Sequence, residues 1–324
     1  MLKVLNQLNP IAQASGAIES LLGLGSGKPT INSDKYDELV HYFKYASTSY
    51  SLIILPRPNG QTLVTTASLN DILTDSHGYI ARDDKKKEIV LAFRGSVTPT
   101  NFITDALFKL VAVDGPHISA PNDTRIHFGF QSAWNTLADK ATTIVREQLA
   151  AYPGYAVVTT GHSLGGALAS LAAVAVKQAH PTVYVLLLVC EIFEPRTGNA
   201  AFAAFVNGLI GSKNIYRVVH SYDGVPTMVP RALGYRHSGT EYWVLDPASA
   251  ERTFICNAAG DNEEDPKGSM RVPSTGINVP HLEVRFFVFF FAASKTDDDG
   301  IVLWNSIYYA VLVLIGRVHA YMLI

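Results

Sequence analysis

Ala156-Val-Val-Thr-Thr-Gly-His-Ser-Leu-Gly-Gly-Ala167 is the stretch whose reading decides the fold. Residues 156–160 are small or β-branched and form a short run suited to a buried strand. From Leu164 to Ala179 the chain is rich in Ala, Leu and Val and suits a helix that packs closely on a sheet. Between the two lies Gly161-His162-Ser163-Leu164-Gly165, a G-x-S-x-G pattern. At a strand-to-helix junction this pattern is a nucleophile elbow. The tight turn lifts a serine oxygen above the sheet edge, and flanking glycines let strand and helix approach. The helix N-terminus behind it offers backbone N–H groups and positive dipole to a developing oxyanion. Ser163 is therefore the candidate nucleophile, Leu164 N–H one oxyanion donor, and His162 a structural residue of the turn. An ordinary Gly-Ser turn before a helix is the bland alternative.

Working outward, further apolar strands alternate with helices. Glu88–Phe93, Val183–Val189 and Ile215–Val219 read as strands. Asp34–Tyr50, Phe130–Leu149 and Ala200–Ile210 read as helices. Strands apolar on both faces, separated by helices, indicate an α/β fold whose central sheet is mostly parallel and covered on both sides. Ligands in such sheets bind beyond the carboxyl ends of the strands.

A serine needs a base, and the base a carboxylate to orient it; on this architecture the chain order is Ser, acid, His. Asp223 follows the strand Ile215–Val219, just past its carboxyl end, whereas Asp246, Asp261 and Asp265 have no such placement. Three histidines lie downstream: His237, His281 and His319. His237 is close in chain to Asp223 and His319 sits in an apolar tail, so His281 is the preferred base. Arg94-Gly95-Ser96 directly follows the strand Glu88–Phe93, which makes Ser96 the second oxyanion donor, against the alternative of a plain Gly turn. Thr98 to Phe108 is a short amphipathic stretch with Pro99 near its start. It suits a lid helix over the site or an ordinary surface helix.

Six segments resemble the fungal-type class 3 lipases of the α/β-hydrolase fold, a family that also includes feruloyl esterases. They are Leu91–Ser96, Ile126–Phe130, Thr160–Ala167, Pro195–Asn199, Asp223–Pro226 and Gly234–Trp243, in the family's order. The resemblance implies Ser163 as nucleophile, Asp223 as acid and His281 as base. It also implies Ser96 and Leu164 as the oxyanion pair, and Val97–Phe108 as a lid that touches a lipid interface. Three features depart from the family pattern: Glu194 before Pro195-Arg196, only two cysteines (Cys190 and Cys256), and 43 residues after His281.

The implied activity is serine carboxylic-ester hydrolysis of acylglycerols through an acyl-enzyme. A feruloyl esterase or a non-catalytic hydrolase-fold binding protein are the alternatives. The expected partner is an acyl-ester or lipid substrate; no cofactor, metal, nucleic acid or protein partner is implied, and Asp297–Asp299 reads as a solvated run. The 324 residues carry a net charge of −2, and 17% are charged, which argues against a dedicated nucleic-acid binder and against disorder. The organisation reads as a leader and linker over 1–33, a hydrolase domain over 34–287, and an apolar extension over 288–324. About two-thirds of residues 282–324 are apolar, in runs shorter than the ~20 residues of a spanning helix. Packing on the domain, membrane-surface contact and an aberrant sequence all fit it. Secretion is expected from the resemblance, although no clear signal-peptide core is visible near the N-terminus.

Overall fold

A computed structural model describes residues 16–50, 63–71, 74–95, 108–190, 195–256, 264–278 and 280–281. In chain order the named elements are α1 (Ser33–Thr48), β1 (Leu63–Asp71), β2 (Ser76–Asp83), β3 (Glu88–Phe93), β4 (Leu110–Ala112) and β5 (Arg125–His127). Then come α2 (Phe128–Ala151), β6 (Ala156–His162), α3 (Leu164–Ala179), β7 (Val185–Cys190), β8 (Gly198–Asn199) and α4 (Ala200–Val206). The last are β9 (Ile215–His220), β10 (Tyr235–Arg236), β11 (Thr240–Val244) and β12 (Thr253–Cys256).

One eight-stranded sheet runs β1-β2-β3-β6-β7-β9-β11-β12. Its middle, from β3 through β11, is parallel, and antiparallel pairs close both edges. This is the expected α/β architecture. All six residues of β3 and all six of β9 are buried, because helices cover both faces. On one face α2 and α3 pack Trp134, Leu137, Leu168 and Leu171 against Ile89, Leu91 and Val157. On the other, α1 packs Leu39, Tyr42 and Tyr45 against Val90, Val158 and Leu188. Each fully buried aliphatic or aromatic side chain of this kind contributes about 1.5–3 kcal/mol.

Helix starts follow from capping chemistry. Asn32 caps α1 by accepting the Lys35 N–H, Asn199 caps α4 by accepting the Phe202 N–H, and the His127 ring accepts the Gly129 N–H at the head of α2. A small antiparallel sheet, β10-β8-β5-β4, flanks the main one. It anchors the chain on the far side of the Val97–Phe108 stretch, of which 97–107 lie outside the described residues.

The Gly-, Ser- and Pro-rich segment before α1, expected as a linker, is instead bound along the edge of the sheet. Thr30 bridges Phe254 of β12, Ile31 N–H donates to Thr253 O (3.1 Å) and Pro29 O accepts from Ile255 N–H (2.9 Å). Lys28 pairs with Asp265, and Leu24 packs against the cluster of Val219, Trp243 and Leu245. A short helix at 16–21 precedes this segment. Residues 1–15 and the 288–324 extension lie outside the described residues. Among those described, no helix is long and apolar enough to cross a membrane.

Candidate active site

The turn between β6 and α3 has the geometry that its sequence requires. Ser163 has φ 58° and ψ −128°, a region that costs a residue with a side chain on the order of 1–3 kcal/mol. A Cβ on Gly161 would stand 2.0 Å from Gly165 O, and one on Gly165 would stand 2.2 Å from Phe93 O. Neither position accepts any residue but glycine without separating the helix from the sheet. Ser163 occupies the N-cap position of α3, yet its hydroxyl makes no capping hydrogen bond. The oxygen is thus not consumed by the helix amides, and the positive end of the helix dipole faces it. Leu164, the first helical residue, is buried. Ser96 lies outside the described residues.

Asp223 lies three residues past the end of β9, its N–H donating to His220 O (3.1 Å). Its Oδ1 accepts the Val225 N–H at 2.9 Å and stands 3.4 Å from His281 Nδ1. Both side chains are fully buried. Burial pushes the Asp223 carboxyl well above its ordinary value, opposed by the Val225 N–H. A separation of 3.4 Å is long for a hydrogen bond, and such contacts in unliganded sites tighten when the ring gains its proton. The His281 ring in turn lies 5.7 Å, centroid to centroid, from the ring of His162 beside Ser163. The expected nucleophile turn, acid and base therefore meet at the carboxyl end of the parallel strands.

The rival residues are engaged elsewhere. His237 Nε2 faces Pro226 O at 2.9 Å, and burial, with Arg217 nearby, holds its pKa well below the usual value. Asp246 pairs with His220 and Asp265 with Lys28. His319 and Asp261 lie outside the described residues, as do Glu194 and the Cys190 side chain. Cys256 is buried, and its thiol is pushed up by that burial.

Tyr50, just beyond α1, is a site residue that the sequence reading missed. Its hydroxyl accepts the Gly95 N–H at 2.9 Å and contacts His162 Nδ1. It thus joins the end of β3, where the second oxyanion donor was expected, to the nucleophile turn. An aromatic at a helix end is indistinguishable from a core residue by pattern, so no local signal marks it.

A buried ion pair joins Arg196, just before β8, to Glu264. Arg196 Nε and Nη2 donate to the two Glu264 carboxylate oxygens at 2.8 and 2.6 Å, and the His237 N–H adds 3.1 Å. Burial alone would raise the Glu264 pKa, but the Arg196 hydrogen bonds outweigh it and hold the carboxyl well below its usual range. Its stabilising contribution is therefore complete above the unfolded-state value of about 4.3 and is lost as pH falls toward the depressed folded value. Glu264→Gln should cost about 3–5 kcal/mol at pH 7, because it leaves the Arg196 charge buried without its counter-ion. Urea unfolding of both proteins should show this deficit shrinking as pH is lowered from 4.5 to 3; a deficit independent of pH would contradict the assignment.

A separate cleft of about 610 Å³, lined by Arg146, Tyr155, His180 and Tyr184 among others, opens at the amino ends of β6 and β7, at the other end of the sheet from Ser163.

Residues 90–233 match the family model described as Lipase (class 3). A secreted alkaline triacylglycerol lipase of Penicillium cyclopium is 31% identical over 217 residues, covering 67% of this chain and 74% of that protein. The chain belongs to the class 3 lipase family. A Rhizopus niveus lipase is 33% identical over 225 residues, covering 65% of this chain but 55% of its own length, so the chain spans little more than half of that relative. In structure, this class 3 lipase family member superposes on a triacylglycerol lipase of Penicillium expansum with a TM-score of 0.67 at 29% identity, covering 78% of this chain and 94% of the other. The family match begins within β3 and ends before β10, so it includes Ser163 and Asp223 but neither His281 nor the strap at 16–32.

Proposed function

We propose that the chain is a serine carboxylic-ester hydrolase that cleaves acylglycerol esters. The observation that carries this reading is a strained serine at a helix N-terminus next to a buried His281–Asp223 pair. Ser163 attacks the ester carbonyl while His281 takes its proton, and Asp223 orients the ring and balances the imidazolium. The N–H groups of Leu164 and Ser96 hold the oxyanion of the tetrahedral intermediate. The intermediate collapses to an acyl-enzyme as His281 protonates the departing alcohol. Water, deprotonated by the same ring, then releases the acid and restores Ser163.

The raised Asp223 pKa supports this sequence. A carboxylate buried without full compensation gains most from a neighbouring cation, and the imidazolium supplies that cation when the barrier is crossed. The Val97–Phe108 stretch is the proposed contact with a lipid interface, and secretion is proposed from the family relationship.

The test is a panel of glycerol esters from acetyl to oleoyl, alongside methyl hydroxycinnamates, with labelling by a serine-directed phosphonate. Hydrolysis that favours glycerol esters and rises above their solubility limit is expected, with label on Ser163. Preference for soluble hydroxycinnamates would move the assignment to a feruloyl esterase. Neither hydrolysis nor labelling would leave a binding protein on a hydrolase fold.

A further inference from the structure

A second histidine–carboxylate pair lies directly behind the first. His220, the last residue of β9, is buried, and its Nε2 stands 3.0 Å from Asp246 Oδ1. Its Nδ1 faces the carbonyl oxygen of Pro280, the residue before His281, at 3.4 Å. One ring thus spans two chain segments 60 residues apart, one leading to Asp223 and the other to His281.

Asp246 is itself held from the N-terminal side. Its N–H reaches both carboxylate oxygens of Glu19, at 3.0 and 3.1 Å, and Arg252 Nη2 donates to the same carboxylate at 2.8 Å. Glu19 is about 1% exposed although it sits in the short helix at 16–21, outside the family match. A carboxylate buried to that degree requires partners, and here they are Arg252 and the amide of the residue that grips His220. The turn between His220 and Asp223 is pinned further. Trp243 Nε1 donates to Ser221 O at 2.8 Å, and Ser221 holds φ 49°. Asn278 joins the two segments a second time, its Nδ2 donating to Tyr222 O at 2.9 Å and its Oδ1 accepting the His281 N–H at 3.3 Å.

We propose that His220 is a positioning residue for ester hydrolysis, which fixes the His281–Asp223 distance by tying the Pro280 carbonyl to Asp246, with Glu19 of the N-terminal strap as the brace behind Asp246. This rests on the ester-hydrolase reading of the same site. None of the three touches the reacting atoms. Their effect is on the alignment of a ring that must face Asp223 on one side and Ser163 on the other, and misplacement by about 1 Å costs on the order of 100-fold in rate. The arrangement also explains why the leader is bound to the sheet: it completes the support of the acid turn.

The test uses the full chain and four variants: His220→Ala, His220→Gln, Asp246→Asn and Glu264→Gln. The last loses stability through a different buried pair and serves as the folding control. His220→Ala should lower kcat about 10- to 100-fold with KM changed less than twofold. Its rate of phosphonate labelling should fall in parallel. The acid limb of the kcat/KM profile, which reports the free base, should move to lower pH, because His281 loses the fixed carboxylate that favours its protonated form. His220→Gln, which keeps a donor toward Asp246, and Asp246→Asn, which keeps the acceptor oxygen, should fall between wild type and His220→Ala. Glu264→Gln should lose stability without moving the acid limb.

If wild type labels and turns over but the His220 and Asp246 variants retain its kcat and acid limb, the positioning role is overturned. It is overturned equally if Glu264→Gln moves the limb as far as they do, since the effect would then be general destabilisation. If His220→Ala does not fold, the His220→Gln and Asp246→Asn profiles decide the matter. A wild type that neither turns over nor labels refutes the ester-hydrolase reading itself, a result distinct from all of these.

Discussion

Ser163→Ala is expected to lower kcat by about 10⁵–10⁶-fold and leave the fold intact. The size of the loss follows from the chemistry, since without the hydroxyl no acyl-enzyme forms and His281 has no proton to accept. The fold should survive because the Ser163 hydroxyl makes no capping hydrogen bond, so removing it breaks no helix contact. A companion variant separates strain from chemistry. Ser163→Gly should be equally inactive but more stable than Ser163→Ala, because glycine adopts φ 58° and ψ −128° without the steric cost carried by any Cβ. The gain should be on the order of 1 kcal/mol, reduced by the greater freedom of glycine in the unfolded chain. Ester turnover and thermal unfolding of the three proteins check both statements. Turnover in Ser163→Ala within tenfold of wild type would falsify the assignment of the nucleophile.

Asp223→Asn should cut kcat about 10⁴-fold and at the same time make the protein more stable near neutral pH. The activity falls because a neutral amide neither selects the required His281 tautomer nor balances an imidazolium. The stability rises because of the sign of the Asp223 shift. Its folded-state pKa is raised by burial, so the carboxyl favours the fold below its unfolded value of about 3.9, and this contribution is lost as pH climbs through the folded value. At neutral pH the charged carboxylate is a net cost that asparagine removes. The Val225 N–H keeps its acceptor in the amide oxygen. A rise on the order of 1 kcal/mol is expected, or about 2 °C in Tm for a chain of this size. The advantage of the variant should shrink as pH is lowered toward 4. A variant less stable than wild type at pH 7 would show that the His281–Asp223 contact already offsets the burial of the carboxylate in the resting protein.

Both predictions concern residues visible in the sequence, and the reason is local. Gly161, Ser163 and Gly165 form one turn carried by five consecutive residues; the clash at Gly161 is with Gly165 itself, whereas the one at Gly165 is with Phe93 of β3. β3, β6 and β9 stood out because strands buried on both faces are built mostly of apolar and β-branched residues, here with a few buried polar ones such as Arg217 and His220. β1 and β2 escaped notice because Leu63–Asp83 carries many Thr, Ser and Asp residues on strands at the sheet's antiparallel edge. The two- and three-residue strands of the small sheet are too short to show any period.

Asp223 was legible from its place after a strand, and His281 only by elimination among the downstream histidines. On the positioning role proposed above, their 3.4 Å separation is set where His220 and Asn278 join the acid turn to the return segment. Tyr50, Glu19 and His220 gave no signal, because each reads as an ordinary core or surface residue until its partner is known. The chain alone therefore carried the α/β layering and the G-x-S-x-G turn, consequences of burial on both faces and of residues adjacent in sequence, and it offered Asp223 and His281 as the candidate acid and base. Packing decided what aligns them. Glu19 meets Asp246 across 227 residues and His220 meets Pro280 across 60, and contacts that distant leave no period or spacing in the sequence, since the sheet and not the chain sets their separation.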